Sequence, residues 1–187
     1  SKTNKVDDFI TTISPGLTFS TSPQVAGTPS AGPSLSTAGR KEPKYGMDLD
    51  YAPGFVLYAH NSNRNYISHA GTLNTWYTFG RNFTLRLWDN LIQSKNPLEG
   101  YVAPPQQPQP PGIYYPSVSQ NGYTYLRNIV SPSLIYQFGR EDLIELNYTD
   151  NYYHSQNPTV GTIRLDSVTP RFTYWFTINH GVVLEYA

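Results

Sequence analysis

Long stretches of the chain alternate apolar side chains with small or polar ones. Alternation predicts β-strands, because successive side chains of a strand point to opposite faces of a sheet. No stretch combines a helical period with helix-capping residues, so no α-helix is predicted. The predicted strands are 8–20, 44–60, 66–79, 83–94, 122–138, 143–155, 161–176 and an eighth that begins at Gly181.

One proline-centred phrase recurs along these strands. Its four copies are Ser14-Pro15-Gly16-Leu17, Ala52-Pro53-Gly54-Phe55, Ser131-Pro132-Ser133-Leu134 and Thr169-Pro170-Arg171-Phe172. The prolines are 38, 79 and 38 residues apart, which fits a repeating unit of about 38 residues. Two long strands and their turns fill such a unit, so the repeat predicts an antiparallel array of hairpins.

The connections between the predicted strands are of two kinds. Residues 80–82, 139–142 and 179–181 are short turns that contain glycine, which readily adopts a positive φ. Residues 22–43 and 96–121 are long, and both contain several prolines and glycines. Because neither resembles a domain linker, we expect one β-domain over residues 1–187 with two long loops.

Sorting each strand by parity separates an apolar face, rich in Phe, Tyr, Leu and the four prolines, from a polar face of Ser, Thr, Gly and isolated charges. Alternation alone leaves two arrangements open. In a soluble barrel the apolar face is the core. In an outer-membrane barrel the apolar face contacts lipid and the polar face lines the interior.

Three features favour the membrane arrangement. The predicted strands, of about 12 to 17 residues, exceed the usual five or six of soluble sheets. The apolar face carries more large rings than a soluble barrel of this size encloses, and the polar face lacks the many Lys and Glu residues that protect solvent-exposed strands. Aromatic residues also gather near the turns, at 76–79 and 174–176, where Trp76 and Trp175 are expected to join an interfacial girdle.

The predicted fold is therefore an all-β, antiparallel up-and-down transmembrane β-barrel, a meander of long strands. The lipid-facing candidates are Leu17, Phe19, Phe55, Leu57, Leu85, Leu87, Leu134, Tyr136, Phe172 and Tyr174. The lumen-facing candidates are Asp48, Asp50, Arg86, Arg127, Glu145, Arg171 and Glu185. Asp89, Asp150 and Asp166 fall on the apolar register and are expected to mark the limit of the lipid-facing band.

The Ser14-Pro15-Gly16-Leu17 phrase, the Asn61-Ser62-Asn63 turn and the Phe-Gly-Arg turns followed by alternating leucines resemble bacterial outer-membrane β-barrels. The resemblance is to the β-barrel porin and exopolysaccharide-associated barrel families, and it covers most of the chain from Asp8 onward. It implies a location in the bacterial outer membrane, at the cell surface, and passage of a solute or polymer. It supplies no catalytic residue.

Composition removes several other functions. The formal net charge is zero and the 13 Lys and Arg residues are scattered, so no nucleic-acid partner is predicted. The chain has no cysteine, and its four histidines form no pair at metal-ligand spacing, so no metal site or cofactor is predicted. Asp48 and Asp50 share a face, but no partner acid, base or nucleophile motif accompanies them. We therefore expect wall charges and no enzyme activity.

Two alternatives to a channel or export conduit remain open. One is a structural or adhesive barrel whose long loops bind a partner or glycan, and the other is a soluble β-barrel that binds an apolar ligand. After the turn at 179–181 only six residues follow, too few to cross a bilayer. We therefore expect part of a larger barrel, in which outer-membrane lipid and further strands of the same protein or other copies of the chain are the partners. An unusual closure by the short last strand and a simple eight-stranded monomer remain the alternatives.

Overall fold

A computed structural model describes residues 8–21, 44–95, 122–177 and 179–186. These residues form nine β-strands and one short 3₁₀ turn at Ser62–Arg64, and they contain no α-helix. The strands are β1 Ile10–Ile13, β2 Leu17–Ser20, β3 Tyr45–Tyr58, β4 Tyr66–Phe79, β5 Phe83–Ser94, β6 Tyr125–Gln137, β7 Leu143–Ser155, β8 Thr162–Trp175 and β9 Gly181–Glu185. The predicted strands are confirmed, except that the first is two short strands. The predicted loops 22–43 and 96–121 lie outside the described residues.

The strands form a single antiparallel sheet in which neighbours in sequence are neighbours in space. β1 and β2 both pair with β3, and the order then runs β3-β4-β5-β6-β7-β8-β9. The all-β, antiparallel up-and-down meander is thus confirmed. The sheet is open, because within the described ranges no pairing joins β1 or β2 to β9.

β1 and β2 are one strand interrupted by a pair of prolines. Both keep a single register against β3, and the pairs that flank the gap are Ile13↔Phe55 and Leu17↔Tyr51. Pro15 therefore stands directly opposite Pro53. In an antiparallel ladder, opposite residues alternate between pairs that exchange both hydrogen bonds and pairs that exchange none.

The hydrogen bonds at the two ends of this ladder show which kind of pair the prolines occupy. They run from Ala59 N to Phe9 O, at 3.0 Å, and from Thr21 N to Met47 O, at 2.9 Å. Odd-numbered residues of β1 and β2 therefore bond to β3, and Pro15 and Pro53 occupy such a position. Since neither proline has an N–H, both hydrogen bonds that this pair of positions would otherwise exchange are missing. The β3–β4 ladder continues through Pro53 without a break.

The other two prolines also lie where a ladder is broken or ends. Pairing of β5 with β6 continues through Pro132, whereas pairing of β6 with β7 is interrupted there. Pro170 lies where the β8–β9 ladder ends, and its carbonyl accepts the N–H of Tyr186 at 3.2 Å. Each proline therefore removes a donor from one neighbouring strand only.

Asp8 fastens the start of the first strand to the β3–β4 connection. Its carboxylate accepts the side-chain N–H of Asn61 at 2.6 Å and the backbone N–H of His60 at 3.0 Å. These two hydrogen bonds, that of Asn61 first, hold the pKa of Asp8 below its usual value because they stabilise the ionised form. The same carboxylate lies 3.4 Å from the His60 ring.

The β4–β5 turn requires glycine for conformational reasons. Gly80 has a φ of 62°, a region that other residues rarely adopt. Gly139, in the β6–β7 turn, and Gly181, the first residue of β9, do not have a positive φ, so that expectation is wrong at both. At Gly139 a side chain would instead collide with the Asp142 carboxylate.

Gly46 and Trp76 form a cross-strand pair in which the indole covers the glycine. The two residues are opposite each other on β3 and β4. A Cβ at Gly46 would overlap the Trp76 ring, so the glycine leaves the space that the buried indole fills.

We predict that Gly46→Ala lowers the free energy of unfolding by about 1–3 kcal/mol, because the indole must move from its packed position. Gly71→Ala, also in a strand, is the matched control. Its nearest atoms would be at 3.7 and 3.8 Å, ordinary contacts, so we expect no loss of stability. Urea unfolding, followed by tryptophan fluorescence, measures both. Equal losses for the two variants would contradict the packing of Trp76 on Gly46.

Candidate lumen and lipid surfaces

The two faces of the sheet differ sharply in exposure. Every buried strand residue lies on the face that carries Asp48, which we name the polar face. Neighbouring positions show the contrast: Phe55 is 39% exposed and Val56 3%, while Leu134 is 42% exposed and Ile135 8%. The opposite face, which carries Leu49 and Leu134, is named the apolar face, and no described part of the chain covers it.

Burial on one face of a single uncovered sheet implies curvature. Side chains on the inner side of a curled sheet converge and cover one another, while those on the outer side spread apart. The polar face is therefore the concave side, and the apolar face is the convex side.

All seven lumen-facing candidates lie on the polar face. Asp48 is buried, Glu185 is exposed at the edge strand, and the other five, Asp50, Arg86, Arg127, Glu145 and Arg171, are half-buried. The carboxylates of the two aspartates accept hydrogen bonds from hydroxyl groups of the neighbouring strand. The Thr18 hydroxyl donates to Asp50 at 2.7 Å, and the Ser20 hydroxyl donates to Asp48.

Three of these charges form a row of alternating sign across β7, β8 and β9. Glu145 is directly opposite Arg171, which is directly opposite Glu185. The Arg171 Nε atom lies 3.8 Å from the Glu185 carboxylate, and the two side chains are 32% and 28% exposed. Partial burial strengthens such an interaction relative to a fully solvated pair.

All ten lipid-facing candidates lie on the apolar face. Eight are exposed, and Leu87 and Phe172 are half-buried. Rings on this face meet at its end nearest Gly80, which we name the Gly80 end. Phe83 and Tyr136 are 4.8 Å apart between centroids, and Phe138 and Phe172 are 6.0 Å apart.

The expectation that Trp76 and Trp175 join this aromatic group is wrong. Both lie on the polar face. Trp76 is directly opposite Gly46, which shares the face of Asp48, and Trp175 is directly opposite Gly181, which shares the face of Glu185. Proximity to a turn suggested the wrong face, whereas the parity of the position gives the right one.

Large apolar residues on the polar face were missed by the sequence analysis. Ile92, Tyr125 and Tyr153 form a buried cluster, with Val160 and Ile163 packed against it. The two tyrosine rings stack at 5.7 Å. Parity could have found Tyr125, which is two residues before Arg127, but the cluster itself depends on the pairing of β5, β6 and β7.

Polar side chains end the apolar face at its other end, nearest Asn157, which we name the Asn157 end. Asp89, Asp150 and Asp166 lie in one row of opposite residues with Leu73 and Val130. Arg164 donates twice to Asp150, at 3.0 and 2.9 Å. The positions of Asp89, Asp150 and Asp166 on the apolar face are as predicted from the sequence.

Among the described residues, no three His, Asp or Glu side chains are close enough to hold a metal ion. Over the same part of the chain, no helix has the length and apolar character that a membrane span requires. The chain matches no protein-family model, no curated protein and no solved structure.

We predict that Arg171→Met lowers the free energy of unfolding by about 1–2 kcal/mol, because it removes the cation that lies beside the Glu185 carboxylate and directly opposite Glu145. Glu185→Gln removes only one partner and is expected to cost less than about 1 kcal/mol. Adding Glu145→Gln to Arg171→Met should restore part of the loss. A double variant no more stable than Arg171→Met would show that Glu145 does not interact with Arg171. Urea titration in detergent measures all three.

Proposed function

We propose that this sheet is part of the wall of a bacterial outer-membrane β-barrel, with its apolar face toward lipid and its polar face toward the interior. The observation that carries the proposal is the inverted exposure of the two faces. A soluble sheet buries its apolar face, whereas here Phe55 and Leu134 are exposed beside buried residues of the polar face. An apolar surface of this extent needs a cover, and hydrocarbon supplies one.

The inclination of the apolar band supports the proposal. At the Asn157 end, β8 becomes polar at Asp166, whose row contains Leu73 of β4, while β4 presents Gly71 and only then His69 on this face. At the Gly80 end, the row of Phe79 contains Phe172, and two more rings follow, Tyr174 in β8 and Phe176 just after its end. Between β4 and β8 both limits shift by four residues in the same direction, although Asp89 of β5 lies in the row of Asp166 and does not follow this shift.

This shift gives the tilt of the strands relative to the band. Four residues along a strand are about 13 Å, and four strand spacings are about 19 Å, so the inclination is about 35°. Strands of membrane barrels tilt by about 35–45°. On β6 and β8 the band spans residues 130–138 and 168–176, about 27 Å along the strand, which projects to about 22 Å at this tilt. The apolar band of an outer-membrane barrel is about 25 Å tall.

The proposed activity is that of a porin-like channel or export conduit for solutes or a polymer. The polar face offers carboxylates and guanidinium groups of both signs, which suit an aqueous wall with weak charge selectivity. Shape and charge of the interior do the work in such a protein, so no catalytic residue or cofactor is required.

A structural barrel with a filled interior is the second candidate. The Ile92, Tyr125 and Tyr153 cluster favours it, because these side chains occupy the concave side near the Asn157 end. Small barrels fill their interior with side chains, whereas larger ones enclose a channel.

We predict that a tryptophan at Leu134 is quenched by brominated lipid. The three native tryptophans lie on the polar face, so Leu134→Trp should add clear quenching relative to the wild-type chain in bilayers. Ser133→Trp, the adjacent position on the polar face, is the matched control and should add little. Quenching at position 133 but not at 134 would show that the polar face, and not the apolar face, contacts lipid. Quenching at neither position would contradict the proposal that this sheet contacts lipid at all.

Conductance separates the two candidate functions. We expect the complete barrel, meaning this chain together with the further strands that close it, to give discrete current steps in planar bilayers if the polar face lines an open channel. Silent bilayers, together with quenching at position 134, would instead favour the filled structural barrel.

A further inference from the structure

The outer edge of β1 and β2 presents a row of backbone donors. Odd-numbered residues of these strands bond to β3, so the N–H groups of Ile10, Thr12, Ser14, Gly16 and Thr18 point away from it. Among the described residues, no strand lies on that side. We name this row the β1–β2 outer edge.

This edge lacks the usual devices that prevent strand pairing. Exposed edges of soluble sheets carry lysine, inward-pointing charges or prolines that remove donors. No charged residue occurs between Phe9 and Ser20. The one proline, Pro15, has its missing donor on the inner side, opposite Pro53, so it removes nothing from the outer row.

The opposite edge of the sheet is less suited to pairing. β9 has only five residues, Gly181–Glu185. The part of β8 that β9 leaves uncovered carries Arg164 and Asp166. The β1–β2 outer edge is therefore the better docking edge of the two.

We propose that the β1–β2 outer edge binds an uncharged, extended β-strand in antiparallel orientation, with mainly apolar residues on the side that continues the apolar face. Such a strand repeats on the outer side the backbone pairing that β3 makes on the inner side. Its apolar side chains would lie beside Ile13, Leu17 and Phe19 and continue the apolar face. The proposal rests on backbone hydrogen bonds and does not depend on the presence of lipid.

A synthetic peptide with the sequence of residues 66–79 is a suitable probe, because it is uncharged, free of proline and already forms a strand of this sheet. Its binding to the full chain in detergent micelles is measured by fluorescence anisotropy. Thr12→Pro combined with Thr18→Pro removes two outward backbone donors and no backbone donor that bonds to β3, although it also removes the Thr18 hydroxyl that donates to Asp50. We expect binding at least about tenfold weaker than to the wild type.

Thr12→Val combined with Thr18→Val is the matched control, since it removes the same hydroxyls and keeps both N–H groups. We expect it to bind the peptide like the wild type. Circular dichroism shows whether each variant keeps its strands. Wild-type binding that is absent, or unchanged in the proline pair, overturns the proposal. A wild-type dimer lost only in the proline pair would make a second copy the occupant and also overturn it.

Discussion

The antiparallel hydrogen-bond ladder from β3 to β8 is the constraint on which the rest of the structure depends. No second layer of described chain covers either face, so the strands are held by lateral bonds between neighbours. Two features of the ladder repeat every two residues. Side chains alternate between the two faces of the sheet, and N–H groups alternate between the two neighbouring strands. One register therefore determines at once which residues share a face and which donors meet which strand. Pro15 and Pro53 illustrate the link, because their shared register places two missing donors at one point.

Much of the fold is predictable from the sequence because its main signal is local. Alternation within one strand gives the face of each residue, and turn residues give the strand limits, so Phe55 and Arg127 could be assigned to opposite faces without any structure. Pairing between strands is not local, and it decides the features that the sequence analysis missed. The charge row through Arg171 and the interruption between Ile13 and Leu17 both require the registers. Trp76 was misassigned because its nearness to a turn was weighed above its parity.

The polar face combines two requirements that oppose each other. Curvature brings its side chains together, which favours apolar packing and produces the Ile92 cluster. The same face carries charges that lose hydration when they are crowded. The structure meets both by giving the carboxylates local partners, as Thr18 does for Asp50 and Arg171 for Glu185. The polar face is therefore ordered by short-range pairs, some between charges and some between a carboxylate and a hydroxyl group.

The course of the apolar band is the feature that favours the proposed lipid-facing surface over the core of a soluble sandwich. A core in a sandwich ends where its strands end, since the turns beyond them are solvated. Here Asp166 and Asp150 interrupt the apolar face well inside β8 and β7, while β4 in the same row still presents Leu73. At the opposite end the rings run to the ends of the strands, to Phe79 in β4 and to Phe176 just after β8. The limit that crosses the strands therefore supports the proposed membrane orientation, since a bilayer would impose such a boundary on strands that tilt through it.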